Sequence, residues 1–283
     1  MFSFLDVVTP PAMAVVDIGA MDIPGARDPF ARLSDAGLLT VTGFEPLAEE
    51  CQKLNARGSR GRRYLPYAIA DGRRRTLYVT NTGMTSSLLR PNLKFAELFQ
   101  NLAELMQVVA TQELETHRLD DVAEVREQGC DLLKLDTQGS ELEILSNALH
   151  TLSGCLIVQT EVEFVPLYEK QPLFADVDQL LRARGFMFHR FFGLAGRAFK
   201  PLVAHNDENR PLSQALWADA IYVLDLARWE VIEPPALLKL AALMHEAYAS
   251  VDLCHLVLAT YDRRTGSSLA GQYLARLTAP VQP

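Results

Sequence analysis

One stretch constrains the fold more than any other, because its hydrophobic period changes halfway. It is Asp-Leu-Leu-Lys-Leu-Asp-Thr-Gln-Gly-Ser-Glu-Leu-Glu-Ile-Leu, at residues 131–145. The leucines of 132–135 form a short apolar run between two aspartates, which predicts a buried strand. After Gly139 the leucines recur at 142, 145 and 149, the spacing of one helix face. The stretch therefore predicts a strand, a tight turn that contains glycine, and a helix.

Charged residues stand at the end of this predicted strand. Lys134 and Asp136 are two residues apart and share one face, and Asp136 stands where the strand ends. Ligands of open α/β sheets bind just beyond the carboxyl ends of the strands, so Asp136 is a candidate functional residue. Ser140, followed three residues later by Glu143, fits a capping box at the start of the helix.

Strands and helices alternate along most of the chain. Apolar runs predict further strands at 13–18, 39–44, 64–70, 76–80, 108–114, 155–162, 186–192 and 217–224. Helical periods predict helices at 28–36, 47–55, 95–106 and 174–185, and two or three more from Pro235 onward. This order predicts an α/β fold with a mostly parallel, doubly wound sheet. We expect a domain at 1–230 and a helical C-terminal extension at 231–283 that covers the sheet or forms a homodimer contact.

Charge and cysteine usage exclude several classes of partner. The 283 residues have a formal net charge of −8 without a dominant block of one sign, which argues against nucleic-acid binding. The arginines within 57–63 and 73–75 fit solvated loops, or alternatively the rim of a site for an anionic substrate. No apolar run reaches membrane-spanning length, and the cysteines form no C-x-x-C pair. We therefore expect a cytoplasmic protein without a membrane partner.

The ends of the first two predicted strands indicate a cofactor that contains adenosine. Gly19 permits a tight turn and a close backbone approach to a ligand, and Asp17 can orient a polar group of that ligand. A plain turn would use the same residues. Glu45, after the second strand, can accept hydrogen bonds from both hydroxyls of a ribose. Alternatively, it stabilises the next helix start by a few tenths to ~1 kcal/mol.

Several other catalytic motifs are absent from the sequence. It contains no G-x-G-x-x-G, which disfavours a nicotinamide dehydrogenase, and no P-loop sequence for phosphate binding. It also contains no G-x-S-x-G, so a nucleophile elbow is not supported. The irregular segments 81–92 and 193–215 are expected to shape the substrate site, because long loops beside a sheet are often functional.

Five segments together resemble the FkbM family of S-adenosylmethionine-dependent methyltransferases, over roughly residues 13–225. The most specific are 133–145 and Glu-Val-Glu-Phe-Val-Pro-Leu-Tyr at 161–168, and the segments 85–92, 118–121 and 217–220 support them. The resemblance implies the Rossmann-like class I methyltransferase fold and S-adenosyl-L-methionine as the cofactor. It also implies O-methylation of a hydroxyl on a sugar, a glycan or a small natural product.

The resemblance further implies which residues contact the cofactor. They are Asp17, Gly19 and Ala20 at its methionine side, Glu45 and Pro46 at its ribose, and Ala70 and Asp71 at its adenine. The sequence departs from the family in one place. The family usually continues after Gly-Ala with Asn, a hydrophobic residue and Gly, whereas Met-Asp-Ile stands at 21–23 and Gly25 follows two positions late. This loop is therefore expected to follow a different path.

Asp136, Glu161 and Lys134 are the candidate catalytic residues. Asp136 and Glu161 close neighbouring strands in the expected order, so we expect their carboxylates to lie close together and to raise the pKa of one of them. Lys134 can oppose that shift, and Asp136 can alternatively serve to stabilise the turn. Carboxylates such as these with Glu163 can bind Mg²⁺, but acids at strand ends also act alone, and we predict no metal.

Two functions remain open from the sequence. The first is an S-adenosylmethionine-dependent O-methyltransferase whose acceptor is a small molecule or a glycan. The second is a catalytically silent protein of the same fold that binds a partner or scaffolds an assembly, for which the altered loop at 21–25 is the support. Binding of S-adenosylmethionine distinguishes the two functions.

Overall fold

The computed structural model describes residues 2–20, 29–58 and 60–279, and strands form its centre. The strands are β1 (Met13–Ile18), β2 (Leu39–Phe44), β3 (Arg62–Leu65), β4 (Ala68–Ile69), β5 (Arg74–Thr80), β6 (Val108–His117), β7 (Leu132–Leu135), β8 (Ile157–Glu163), β9 (Phe186–Gly196) and β10 (Ala215–Leu224). Seven of them form one sheet in the order β3-β2-β1-β7-β8-β10-β9. A smaller sheet has the order β4-β6-β5.

Helices connect the strands and follow the last one. They are α1 (Ala31–Asp35), α2 (Ala48–Ala56), α3 (Leu93–Ala96), α4 (Leu102–Leu105), α5 (Ala123–Gln128), α6 (Glu141–Ser146), α7 (Leu149–Gly154), α8 (Phe174–Ala183), α9 (Pro234–Glu246), α10 (Val251–Thr265) and α11 (Leu269–Thr278). Short 3-10 helices lie at Phe4–Asp6, Gly83–Thr85, Leu119–Asp121 and Leu226–Glu230.

The large sheet is mostly parallel, which confirms the predicted fold class. β1 pairs in parallel with both β2 and β7, and β7 pairs in parallel with β8. β10 is antiparallel to its neighbours β8 and β9. The strand order therefore reverses between β1 and β7, and in open α/β sheets this reversal opens the ligand-binding crevice.

Three predicted elements are wrong in detail. The leucines at 142, 145 and 149 do not share one helix, because α6 ends at Ser146 and Leu149 begins α7. The strand predicted at 64–70 is two strands, β3 and β4, separated by Pro66 and Tyr67, because proline has no N–H to donate to a neighbouring strand. The helix predicted at 95–106 is two single turns, α3 and α4. Asn101 interrupts it with a left-handed φ of 55°. The start of the helix predicted at 28–36 lies outside the described residues.

The C-terminal helices share the core of the sheet. One hydrophobic cluster contains residues of β1, β7 and β8 together with residues of α9, α10 and α11. The Tyr248 hydroxyl, after α9, donates to Oε1 of Gln159 in β8 at 3.0 Å. These helices therefore cover the sheet, which was one of the two expected roles. No helix among the described residues is long and apolar enough to cross a membrane.

Candidate active site

A cleft of about 710 Å³ lies at the carboxyl ends of β1, β2, β7 and β8. The strand-end residues that line it include Gly19, Glu45, Asp136 and Glu161, and the loop 82–88 lines it as well. It lies at the reversal of strand order and combines apolar walls with convergent polar groups, so it is the candidate active site.

Gly19 brings the ends of β1 and β7 into contact. Its φ is +80°, and a Cβ at this position would lie 1.8 Å from the main-chain oxygen of Asp136. A side chain here would therefore push the two strand ends apart. The N–H groups of Gly19 and Ala20 both donate to the carbonyl of Phe44, at 3.2 and 3.1 Å. Both residues line the cleft, whereas the atypical loop at 21–25 lies outside the described residues.

Asp17 and Lys134 form an ion pair between the neighbouring strands β1 and β7. The Lys134 Nζ donates to Oδ1 of Asp17 at 2.8 Å, and the two residues are register partners. Burial acts to lower the pKa of Lys134, but Asp17 and Asp136 outweigh burial and raise it, so the lysine stays cationic. Neither residue is part of the cleft lining. Lys134 therefore acts on the site through its charge.

Glu45 stabilises a helix start and also lines the cleft. It lines the cleft with its side chain almost fully buried, and its Oε1 accepts a hydrogen bond from the Leu47 N–H at 2.8 Å. Leu47 is the N-cap residue of α2, so this bond stabilises the helix start. Burial raises the pKa of Glu45. Pro46 also lines the cleft.

The residues predicted at the adenine lie just outside the cleft lining. Ala70 is buried and its N–H donates to the His117 carbonyl at 2.9 Å. Asp71 accepts a hydrogen bond from the Arg73 N–H at 3.0 Å. Their chain neighbours Ala68 and Ile69 do line the cleft. The predicted contacts of Ala70 and Asp71 therefore stay predictions.

Gln138 connects the two candidate catalytic carboxylates. Its Nε2 donates to Oδ1 of Asp136 at 2.9 Å and also to Oε2 of Glu161. Its Oε1 accepts a hydrogen bond from the Tyr168 hydroxyl at 3.0 Å, which orients the amide with its NH₂ group toward the carboxylates. The Ser87 hydroxyl donates to the Gln138 carbonyl at 2.7 Å. Asp136 and Glu161 therefore do come together, through a bridging amide that the sequence analysis missed.

Glu141, and not a capping box, stabilises the turn after β7. Its Oε1 accepts hydrogen bonds from the N–H and the hydroxyl of Thr137, at 2.7 and 3.0 Å, and its Oε2 accepts one from the Gly139 N–H at 2.9 Å. Within the described residues, Ser140 forms no cap hydrogen bond, and its buried hydroxyl has no partner. The predicted capping box is therefore wrong. Glu141 is fully surrounded by protein and satisfies the turn in its place.

The strand ends gather more carboxylates than positive charges. Burial, followed by repulsion from Asp136, raises the pKa of Glu161 well above its usual range. Burial and the charges of Glu141 and Asp136 do the same to Glu163. Burial, backed by Asp136, raises the pKa of Glu141 to about 7 and that of Asp219 to about 6. At neutral pH this cluster can therefore both hold and accept protons.

Tyr168 and Asp219 are site residues to which the sequence analysis assigned no role. The Tyr168 hydroxyl lies 2.9 Å from the Thr85 carbonyl and 3.0 Å from Oε1 of Gln138, so its single proton has two acceptors within reach. Asp219 is the register partner of Glu161 across β8 and β10. Both stand in segments that carried the family resemblance, at 161–168 and 217–220. Their position in these two segments could have marked Tyr168 and Asp219 as site residues. Their contacts could not be predicted, because they depend on strands that are distant in sequence.

No group of three or more His, Cys, Asp or Glu side chains in the described part of the chain has the arrangement of a metal site. The carboxylates of Asp136 and Glu161 are instead bridged by the amide of Gln138. An amide NH₂ is a hydrogen-bond donor and binds no cation.

The strand order and the cleft at the carboxyl ends define a class I methyltransferase fold. A family model described as the methyltransferase FkbM domain matches residues 17–188. The chain therefore belongs to the FkbM methyltransferase family, and its methyl donor is S-adenosylmethionine. No curated protein matches this sequence.

Distant similarities exist among solved structures. The magnesium protoporphyrin IX methyltransferase (ChlM) from Synechocystis PCC 6803 with bound SAM is 13% identical, with a TM-score of 0.36 over 76% of this chain and 71% of that chain. A putative methyltransferase from Thermoplasma acidophilum is 10% identical, with a TM-score of 0.37 over 77% and 70%. The putative tRNA (m1A22) methyltransferase Sp1610 from Streptococcus pneumoniae is 10% identical, with a TM-score of 0.36 over 97% and 100%. The family assignment rests on the family match.

The residues present at the ends of β1 and β2 fit S-adenosylmethionine. Gly19 and Ala20 expose backbone without a bulky side chain at one edge of the cleft. Glu45 uses Oε1 for the Leu47 N–H, so its other oxygen is available to a hydroxyl donor. Lys53 and Arg57 also line this side of the cleft. These strand ends therefore provide polar groups for a ribose beside an open backbone surface.

Proposed function

We propose that this protein is an S-adenosylmethionine-dependent O-methyltransferase that methylates a hydroxyl of a sugar, a glycan or a small natural product. The observation that carries the proposal is the carboxylate pair Asp136 and Glu161, joined by Gln138 in the cleft that Gly19 and Glu45 also line. A hydroxyl acceptor loses a proton as it is methylated, and a buried carboxylate beside the reacting oxygen can accept it.

The chain's own groups have separate tasks in this reaction. Bound S-adenosylmethionine supplies an electrophilic methyl group. Asp136 or Glu161 accepts the proton of the acceptor hydroxyl, a task that contributes about 10²–10⁴-fold. Gln138 orients both carboxylates, and Tyr168 orients Gln138. Positioning of the acceptor oxygen in line with the methyl group provides a further large share of the rate.

Isothermal titration calorimetry with S-adenosylmethionine tests the cofactor part of the proposal. We expect micromolar binding by the wild type. Glu45→Gln keeps an oxygen for the Leu47 N–H but removes the charge that two ribose hydroxyls would bind, at ~1.5–3 kcal/mol for each bond. We therefore expect at least tenfold weaker binding and a nearly unchanged thermal midpoint of the apo protein.

Two results would overturn this assignment. Unaltered affinity of Glu45→Gln for S-adenosylmethionine would leave Glu45 as a helix cap alone. Absence of binding by the wild type would favour the catalytically silent alternative. The methyl-transfer part is tested by release of S-adenosylhomocysteine in the presence of hydroxyl-bearing acceptors, and transfer to nitrogen or carbon alone would contradict O-methylation.

A further inference from the structure

The cleft extends well beyond the strand ends assigned to the cofactor. It runs from Glu45, after β2, to Trp217 in β10, across β1, β7 and β8. Neighbouring strands lie about 4.8 Å apart, so its two ends are separated by roughly 19 Å. We call the part lined by the loop 82–88, α4, Leu167, Trp217 and Arg197 the acceptor half.

The acceptor half has mainly hydrocarbon and aromatic walls. Leu102 and Leu105 of α4, with Met106 after it, line it together with Leu88 and Leu167. Leu102, Met106 and Leu167 belong to a compact hydrophobic cluster of their own, so these walls are packed and not free to turn outward. An apolar body gains about 25 cal/mol per Å² buried on such walls, whereas a sugar ring would lose hydrogen bonds to water.

The loop 82–88 adds hydroxyl groups to this half of the cleft, and Arg197 adds a positive charge. Its Nη1 donates to the Gly196 carbonyl at 2.9 Å and to the Asn209 carbonyl at 3.3 Å. Its guanidinium lies over the Trp217 ring, 5.3 Å from the centroid. Two backbone carbonyls and one aromatic face therefore determine the position and the plane of this positive charge.

The positive charge of Arg197 is half-buried, and Asp207 attracts it without forming a direct ion pair within the described residues. Arg197 forms no ion pair with a carboxylate in the described ranges, and its buried Nε has no hydrogen-bond partner. Nη2 also makes no hydrogen bond to a described residue. A planar guanidinium with free N–H groups in an apolar cleft is suited to a carboxylate, because charge-assisted bonds strengthen as water is removed.

We propose that the methyl acceptor is a hydroxy acid with an apolar body, whose carboxylate pairs with Arg197 while its hydroxyl reaches Asp136 and Glu161. This inference rests on the proposed function, because it names the acceptor class of the same site. β7 and β10 are two strand spacings apart, so the two recognised groups are separated by roughly 10 Å. The acceptor body between them contacts Leu167 and the residues of α4.

Calorimetry with a matched set of probes tests this acceptor class. The probes are 8-hydroxyoctanoate, 1,8-octanediol, glucuronate and glucose, each added to protein saturated with S-adenosylhomocysteine. We expect 8-hydroxyoctanoate to bind at least tenfold more tightly than octanediol, which lacks the carboxylate. We also expect it to bind at least tenfold more tightly than glucuronate, which lacks the apolar body.

Variants of Arg197 test whether this side chain causes the preference for the acid over the diol. Arg197→Met should weaken 8-hydroxyoctanoate binding at least tenfold and change octanediol binding by less than twofold. Arg197→Lys keeps the charge without the planar fork and should give an intermediate loss. Arg210→Met is the control, because Arg210 is an exposed arginine of the same connection and is outside the cleft lining. It should behave as the wild type, and thermal midpoints verify that all variants fold.

Several results would overturn the inference. These are equal binding of the acid and the diol by the wild type, tighter binding of glucuronate, no binding of 8-hydroxyoctanoate at millimolar concentration, or an unchanged acid preference in Arg197→Met. Methyl transfer to a neutral sugar with Arg197→Met as active as the wild type would overturn it while leaving the proposed function intact. If the wild type does not bind S-adenosylmethionine, the proposed function itself is overturned.

Discussion

Strand β7 has an aspartate at each end, and the structure uses the two differently. Asp131, before the strand, accepts hydrogen bonds from the Ala14 N–H at 2.8 Å and from the Lys239 Nζ at 2.9 Å. Asp136, after the strand, accepts a hydrogen bond from Gln138, an amide that it shares with Glu161. One carboxylate is thus neutralised by an ammonium group, whereas the other belongs to a cluster of acids.

The difference between the two aspartates shows that the partners of a buried carboxylate decide whether it has a structural or a chemical role. A partly buried carboxylate with an ion-pair partner and a backbone donor stabilises the fold. A group of buried acids that repel one another costs stability and exchanges protons near neutral pH. The amino end of β7 therefore connects the sheet to α9, while the carboxyl end is available for catalysis.

The sharpest test removes the charge at the carboxyl end. Asp136→Asn keeps shape and hydrogen bonding but cannot accept a proton, so we expect turnover to fall by ~10²-fold or more with cofactor affinity within a few-fold. Single-turnover kinetics and calorimetry measure the two quantities. Asp131→Asn is the matched control and should keep turnover within a few-fold. Wild-type turnover in Asp136→Asn would return Asp136 to a structural role and make Glu161 the next base to test.

A second test removes the carboxylate at the amino end of β7. Asp131→Ala leaves the Ala14 N–H without its partner and Lys239 without its counter-charge. We expect the free energy of unfolding to fall by about 2–3 kcal/mol, measured by urea denaturation. The folded fraction should keep its turnover. If stability were unchanged, the ion pair to α9 would contribute nothing, and the contrast between the two ends would fail.

A smaller effect is expected from Lys134, which lies between the two aspartates in sequence. Its charge lowers the pKa of Asp219, and it lies close enough to Asp136 for mutual attraction. Lys134→Met should therefore raise the pKa of the neighbouring acids and move the acidic limb of the kcat/KM profile upward by about one pH unit. Lys239→Met, at the other end of β7, should leave this limb where it is.

The smallest expected effect is a pH dependence of stability. The pKa of Glu141 is raised to about 7 and that of Asp219 to about 6, so the folded protein binds protons that the unfolded chain releases. Stability should then rise as pH falls from 7 toward 5, with roughly 2–4 °C in thermal midpoint for each kcal/mol. His189, whose pKa burial lowers, opposes this trend below pH 6.5. Asp219→Asn should show a shallower dependence, and a steeper one would contradict the assignment.

The sequence predicted the elements whose residues repeat at one period. β1, β2 and β7 have the predicted bounds, because these central strands are rich in apolar side chains that the core buries. Two or three C-terminal helices were also predicted, from apolar residues at helical spacing, and the described residues form three, α9, α10 and α11. Elements that are half exposed were predicted less well, as the split of 64–70 and of 95–106 demonstrates.

The site was predicted in part. Asp136 and Glu161 were chosen because they end strands that the expected order makes neighbours, and the structure brings them together through Gln138. Lys134 was placed on the correct strand face, but its partner is Asp17. Arg197 carried no signal, because it lies in an irregular connection without a period.

The sequence by itself determined the fold class, the family and the strand ends at which ligands bind, because hydrophobic periodicity and short motifs are local properties of the chain. Only the tertiary structure decided which charges are paired. Asp131 meets Lys239, Asp17 meets Lys134, and Glu141 satisfies the turn that Ser140 was expected to cap. The physical reason is that a side chain's partner depends on strand order and helix packing, which bring together residues far apart in sequence.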